Sequence, residues 1–202
     1  MAVEFKTSQT KENLLKAFAG ESQARNRYTI AAEEAKNQKL HVVEAVFQFT
    51  ADQERAHAKV FYDFLKDVAG ENIQIDGAYP VDLSCNVSEL LKMAQHNEYE
   101  EHDDVYVNFA NKAKEEGFPQ IASAFTMIAA VEKIHGDRFG YLGDLLAQNK
   151  LFISDVKTGW MCLECGYVYE GTEAPKTCPV CKHDQGFFIR LELAPYEKIP
   201  QK

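Results

Sequence analysis

Val131-Glu132-Lys133-Ile134-His135 lies inside a run whose apolar residues step by four and three: Ile121, Phe125, Ile128, then Phe139, Leu142 and Leu146. Glu132 and His135 fall on that stripe, where two more aliphatic residues would complete it. Positions three apart share one face of a helix, so both side chains point at the core. A buried carboxylate beside a buried imidazole is costly unless something cationic offsets it. The pairing recurs as Glu54-x-x-His57 on the stripe of another helix: Val43, Phe47, Thr50, Glu54, His57, Phe61, Phe64.

Working outward, the chain reads as four long amphipathic helices. The first runs from Thr10 to about Lys36, with Ser8 or Thr10 as N-cap and Glu12 early in the first turn. Its stripe is Leu14, Ala17, Phe18, Glu21, Ala24, Tyr28; Glu21 is the only acid on it, and Gly20 before it leaves room for a close neighbour. The second spans roughly His41 to Asp67. The third runs from Ser88 to about Glu116, with Leu91, Ala94, Glu98, Glu101, Val105, Phe109 and Ala113 on its inner face. Glu116-Gly117-Phe118-Pro119 stops one helix and starts the next, which runs to about Gln148. Glu44, Asp52, Lys59, Asp63, Glu100, Asp103 and Asp104 lie off the stripes and read as solvated, as do His41, His96 and His102. Tyr28 reads as core and Tyr106 lies close to the inner face of its helix; either could also donate a hydrogen bond to a carboxylate.

The connection from Val68 to Val87 is long for neighbouring antiparallel helices, which need roughly two to eight residues. It suits a crossover along a bundle, the ferritin-like connection between two helical hairpins. Cys85 within it reads as a small apolar residue or a bystander thiol. The expected architecture is mainly α: a ferritin-like four-helix bundle over residues 1–150, followed by a small metal-knuckle domain over 151–202.

Composition agrees with a globular chain: 202 residues, 46% hydrophobic and 26% charged, with 22 basic against 31 acidic residues and a net charge of −9. That balance argues against a nucleic-acid or anionic-membrane partner, and part of the acidic excess is expected inside, where bound metal would neutralise it. No apolar run of about 18 residues indicates a membrane span, and Met1 to Lys6 lacks the apolar region of a signal peptide. Five cysteines, two C-x-x-C pairs and Cys85, suggest metal binding in a reducing compartment, the cytoplasm, rather than a disulfide framework.

After Lys150 the chain turns aromatic and turn-rich. Cys162-Leu-Glu-Cys165-Gly-Tyr and Cys178-Pro-Val-Cys181 form two knuckles, separated by 12 residues, whose loop amides can point at sulfur. Four thiolates from two knuckles make a tetrahedral site. A segment this short cannot build much of a core, so metal must supply much of its folding free energy.

Gathered by face, the bundle offers Glu21, Glu54-His57, Glu98-Glu101 and Glu132-His135. One Glu from each of two helices and Glu-x-x-His from each of the other two is the ligand pattern of di-iron carboxylate proteins. Carboxylate oxygens and imidazole nitrogens suit iron or manganese. Six side chains satisfy that pattern and Glu101 is a seventh, so one metal could exchange ligands between oxidation states, a carboxylate favouring the ferric ion and an imidazole the ferrous.

The residues Ala19-Gly-Glu-Ser-Gln-Ala-Arg-Asn-Arg-Tyr28, Ala51-Asp-Gln-Glu-Arg-Ala-His57, Glu98-x-x-Glu101, Glu132-x-x-His135 and the two cysteine knuckles resemble rubrerythrin, in collinear order over nearly the whole chain. The resemblance implies that Glu54 and Glu132 bridge two non-haem irons. It implies that Glu21 is terminal on one iron, whose last ligand alternates between Glu101 when oxidised and His57 when reduced. Glu98 and His135 would bind the other iron. Tyr28 and Tyr106 would hydrogen-bond ligand carboxylates. Cys162, Cys165, Cys178 and Cys181 would hold a single iron as in rubredoxin. The implied activity is an oxidoreductase of the NADH peroxidase type that reduces hydrogen peroxide to water in defence against oxidative stress. A diferrous pair holds the two electrons that cleave one O–O bond, and the cysteine iron can return electrons singly. No Gly-rich dinucleotide fingerprint is present, so NADH is expected to bind a separate reductase or to act through a rubredoxin donor. The family also implies a homodimer in which the cysteine site of one subunit lies near the di-iron site of the other.

Three other readings stay open on sequence. A ferritin-like ferroxidase would store iron, a use for which the cysteine segment and Glu101 have no role. The knuckles fit zinc as well as iron by spacing alone. An oxidase could prefer dioxygen to peroxide.

Overall fold

The computed structural model describes residues 3–195. Four helical segments build the bundle: α1 (Gln9–Asn37), α2 (His41–Asp63), α3 (Val87–Glu100) continued through a π-turn (Glu101–Val105) into α4 (Tyr106–Glu116), and α5 (Pro119–Ala147). Their ends follow local chemistry. The Ser8 side chain accepts from the Lys11 amide at 3.1 Å, and the Glu116 carboxylate accepts from the free amides of Gln9 and Thr10, fixing the start of α1 to the end of α4. Asn86 caps α3, Gly117 ends α4 in the left-handed region, and Pro119 opens α5.

Two features differ from the sequence reading, while the irregular crossover agrees with it. α2 stops at Asp63, and a 3-10 turn, Lys66–Val68, follows it. The third helix is not continuous α: its π-turn adds a residue to the ladder, so the inward face moves forward. Tyr106, Ala110 and Ala113 are buried, while Val105 and Phe109, expected on the stripe, are only half-buried. From Ala69 to Asn86 the crossover carries no regular element.

The bundle has two apolar cores. One gathers Tyr28, Val43, Phe47, Leu91 and Phe139; the other gathers Leu14, Phe61, Tyr106, Phe125 and Ile128. The C-terminal segment is a three-stranded antiparallel sheet in the order β2-β1-β3, from β1 (Ile153–Cys162), β2 (Val168–Glu173) and β3 (Phe188–Arg190). Trp160 is fully buried beneath it among Cys162, Ala174, Cys178 and Phe188, and its indole N–H donates to the Gly171 carbonyl at 3.0 Å. Among the described residues no helix is long and apolar enough to cross a membrane.

The sheet domain rests on the α1–α2 turn. His41, expected at the surface, is half-buried: it stacks on Phe187 with ring centroids 4.0 Å apart, and its Nδ1 lies 2.7 Å from Glu44. A Cβ on Gly186 would sit 1.8 Å from the Lys39 carbonyl oxygen, so only glycine allows this approach. Arg190 ties the sheet to the linker by donating to the carbonyls of Lys150 and Ile153. Gly186→Ala should therefore lift the turn off α2 while both metal centres still form. Amide hydrogen exchange at Leu40–Val43 should speed up by about tenfold with the iron–thiolate absorption retained; unchanged exchange would show that the contact holds nothing.

Candidate metal centres

Between the two apolar cores lies a layer of charge. Glu21, Glu54, Glu98, Glu132 and His135 are essentially inaccessible to solvent, and His57 nearly so. Their ligand atoms form two sets of four, each mutually within 4.8 Å: Glu21, Glu54, His57 and Glu132 in one, Glu54, Glu98, Glu132 and His135 in the other. Glu54 and Glu132 belong to both, so the structure defines two adjacent positions joined by a pair of carboxylates. α5 brings Glu132 and His135 close to α3 because Gly136 has no side chain; a Cβ there would lie 2.6 Å from the Tyr99 ring and 3.4 Å from the Glu98 Cβ.

Whether these residues fit metal can be judged from their unused atoms. Glu21 Oε2, Glu54 Oε1, Glu98 Oε2, both Glu132 oxygens and His135 Nδ1 are buried without a hydrogen-bond partner. His135 Nδ1 lies 2.9 Å from Glu132, 3.0 Å from Glu54 and 3.6 Å from Glu98, yet hydrogen-bonds to none of them. Buried polar atoms are ordinarily paired, and lone pairs that converge without pairing fit cations held between them.

The remaining atoms of the layer are held by neighbours. Tyr28 donates its hydroxyl to Glu98 Oε1 and Tyr106 donates to Glu21 Oε1, each tyrosine reaching in from one of the apolar cores. His135 Nε2 lies 3.1 Å from Gln53 Oε1, which also accepts from Arg138; Arg138 donates in turn to Thr50. Donation to Gln53 places the imidazole proton on Nε2 and leaves Nδ1 to the carboxylates. Gln53 and Arg138 were not singled out in the sequence, although each lies within three positions of a ligand, because both sit off the apolar stripes. Glu101 opens the π-turn, half-buried, and belongs to neither four-ligand set; His57 stands there instead, 3.0 Å from Glu132 and 3.2 Å from Glu54. His102, read as surface, is half-buried and places Nδ1 2.7 Å from the Ala129 carbonyl, tying the π-turn to α5. His96 is exposed, as is Cys85.

In the small domain Cys162 and Cys181 place their sulfurs 3.7 Å apart, and Cys165 and Cys178 3.6 Å. Thiolates about 2.3 Å from a central ion stand about 3.8 Å apart in a tetrahedron, so the spacing fits one metal and excludes disulfides. The knuckles are built alike. Gly166 N–H bonds the Cys162 carbonyl and Lys182 N–H the Cys178 carbonyl, with Gly166 and Lys182 both in the left-handed region. Burial pushes the Cys178 thiol up, but the Cys181 and Val180 amides outweigh it and bring it down to about 6. Burial raises Cys162 to about 12.

A helical bundle with two carboxylate-bridged metal positions, followed by a four-cysteine knuckle domain, defines a ferritin-like di-metal protein with a rubredoxin-like appendage. The rubrerythrin family model matches residues 12–142, and the model of the rubrerythrin rubredoxin-like domain matches residues 160–189. Rubrerythrin of Clostridium perfringens is 44% identical over 184 residues, 91% of this chain and 94% of that protein. Rubrerythrin of Nitratidesulfovibrio vulgaris is 39% identical over 188 residues, 93% and 97% of the two chains. The structure of partially reduced nigerythrin superposes with a TM-score of 0.61 at 28% identity, covering 94% of this chain and 88% of that one. A Desulfovibrio desulfuricans bacterioferritin, at 22% identity and a TM-score of 0.62 over 70% and 82%, shares the fold. The chain belongs to the rubrerythrin family, a family of di-iron oxidoreductases linked to oxidative stress. Its donor sets match that family's cofactors: two non-haem irons among carboxylates and histidines, and one iron on four cysteines.

Protons compete with metal for the same atoms. Burial lowers the affinity of His135 for a proton, but Glu132, Glu54 and Glu98 around it raise its pKa to about 12; Glu132 and Glu54 likewise raise His57 to about 9. Burial raises Glu98 to about 8 and holds Glu21 well above the usual carboxylate range. Burial would also raise Glu54, but the His135 and His57 imidazoles bring it down to about 2. At neutral pH both imidazoles therefore carry protons that a divalent ion must displace. Titration of the metal-free protein with Co2+ in weak buffer should release more than one proton per metal pair, with affinity falling as pH falls from 9 to 6. Affinity independent of pH over that range would contradict the ligand assignment.

Proposed function

We propose that this chain reduces hydrogen peroxide to water at the carboxylate–histidine site, with electrons delivered through the iron on the four cysteines. The observation that carries this reading is the pair of four-ligand sets sharing Glu54 and Glu132, joined in one chain to a built tetrahedral thiolate site. With two ferrous ions bound, the site supplies the two electrons and the Lewis acidity that cleavage of one O–O bond requires.

The chain's own residues set the stage for that step. Glu54 and Glu132 hold two positions at a fixed spacing; Glu21 completes one, and Glu98 with His135 the other. Tyr106 and Tyr28 each fix one oxygen of Glu21 and Glu98, leaving the second oxygen free to ligate. Gln53 keeps the His135 proton on Nε2 throughout. His57 serves the reduced state and Glu101 the oxidised one. The half-buried Glu101, at the head of a π-turn, stands beside the set that His57 occupies, which favours an exchange over seven simultaneous ligands.

One turnover consumes two electrons and two protons per peroxide and yields two waters. The ultimate donor is NADH, acting through a separate reductase or a rubredoxin. The chain works in the cytoplasm as a homodimer, the cysteine iron of one subunit serving the di-iron site of the other. Exposed Met127, Ile134 and Tyr141, spaced by seven on one face of α5, and Phe49 on α2 beneath Arg138 favour such self-association.

The test is a stopped-flow reaction of fully reduced, iron-loaded protein with one equivalent of peroxide. Rapid di-iron oxidation followed by oxidation of the cysteine iron is expected. Indifference to peroxide, with steady oxidation and retention of added ferrous ion, would overturn the reading in favour of iron handling. Glu54→Ala or Glu132→Ala should abolish di-iron occupancy and spare the thiolate iron. His57→Ala should keep a diferric site but slow the redox cycle by about tenfold; cycling at the unaltered rate would remove the ligand exchange.

A further inference from the structure

The crossover between α2 and α3 borders, with α1 and the π-turn, a half-open cavity of about 570 Å3 that reaches Glu101 and Tyr106. The larger cavity, between Phe5, Phe64 and Phe118, touches none of the carboxylates of the site. The crossover is pinned at both ends of this stretch. Asp76 pairs with Lys16 at 2.7 Å, and Asp82 accepts from Arg27 at 2.5 Å and from Asn97 at 2.7 Å. Between these anchors the Tyr79 hydroxyl donates to the Lys16 carbonyl at 3.2 Å, laying its ring over α1 at Gly20.

Gly20 is the bare patch in that wall. A Cβ there would have Tyr79 Cε1 at 3.8 Å on one side and Glu101 Oε1 at 4.0 Å on the other, so no side chain stands between ring and carboxylate. Tyr79 is itself 42% exposed and lines the cavity, so its ring borders the approach from solvent past Gly20 to Glu101. The cations at the mouth, Lys16 and Arg27, are each paired with an aspartate, which suits entry of a small uncharged molecule better than entry of a metal ion.

We propose that Tyr79 is a size filter for the hydroperoxide, admitting HOOH along Gly20 to the Glu101 side of the site and excluding hydroperoxides with a bulky organic group. This rests on the peroxidase reading. Tyr79 determines specificity; it touches no ligand and takes no part in the chemistry.

Three variants separate the ring from its hydrogen bond and from the gap behind it. Tyr79→Ala should leave hydrogen peroxide reduction within about twofold and raise kcat/KM for cumene hydroperoxide by about tenfold. Tyr79→Phe, which keeps the ring, should remain as selective as the unaltered protein. Gly20→Leu, favourable for the helix, should fill the gap and slow hydrogen peroxide by about tenfold. A second readout needs no peroxidase activity: phenanthroline should extract iron from diferrous Tyr79→Ala about tenfold faster than from the unaltered protein, and from Gly20→Leu more slowly. Unchanged cumene hydroperoxide and extraction rates in Tyr79→Ala would overturn the filter. If the unaltered protein reduces no hydroperoxide, the peroxidase reading fails separately, and the extraction rates alone decide whether Tyr79 gates the site.

Discussion

Carboxylates stripped of water and crowded together are the constraint around which this molecule is built. Two ionised groups about 4 Å apart repel by about 4 kcal/mol at an effective dielectric constant of about 20. Glu54 and Glu132 are flanked by Glu21 and Glu98, which burial keeps protonated in the metal-free protein. With all four ionised as ligands, several such pairs would rival the roughly 5–15 kcal/mol typical of a whole domain's stability. Cations must therefore sit among them. The two imidazoles can supply charge as protonated groups, and His57 Nδ1 pairs with Glu54, but His135 Nδ1 lies among carboxylate oxygens without a hydrogen bond. Divalent metal answers the repulsion and the unpaired atoms together.

The rest of the bundle keeps that layer in register. Apolar clusters above and below it prevent the helices from sliding, and each contributes one tyrosine whose hydroxyl ends on a ligand carboxylate. The absence of a side chain at Gly136 brings α5 against α3 at the level of His135 and Glu98. The π-turn places Glu101 beside the layer and shifts the buried face to Tyr106, Ala110 and Ala113, leaving Val105 and Phe109 half-buried. Function and packing thus share the same few residues: a change that alters the turn would move a carboxylate and a core tyrosine at once.

Much of this was legible in sequence because buried charge violates the helical pattern so plainly. Glu21, Glu54, Glu98, Glu132 and His135 stand on apolar stripes, and the structure buries all five. Paired C-x-x-C knuckles likewise announce a site that sulfur spacing supports. What escaped depends on contacts without a period. Sequence periodicity assumes an unbroken α-ladder, so it carried the stripe through Val105 and Phe109 and could not see the inserted π residue. Gln53 and Arg138 act from beside the stripe, where polar residues are ordinary. His41 read as surface because its partner, Phe187, lies on the other domain. Tyr79 lies on a crossover with no repeating pattern, and its place over Gly20 follows only from the path of the chain.

The most direct measurement of the two-metal site is Mössbauer spectroscopy of the full chain loaded with iron-57 and oxidised. An antiferromagnetically coupled ferric pair in oxygen and nitrogen surroundings, at twice the intensity of a single high-spin iron on sulfur, is the expected spectrum. Glu132→Ala should remove the pair and leave the sulfur-bound iron. Uncoupled ferric ions in the unaltered protein, or a pair that survives loss of Glu132, would contradict a site in which Glu54 and Glu132 join two metals.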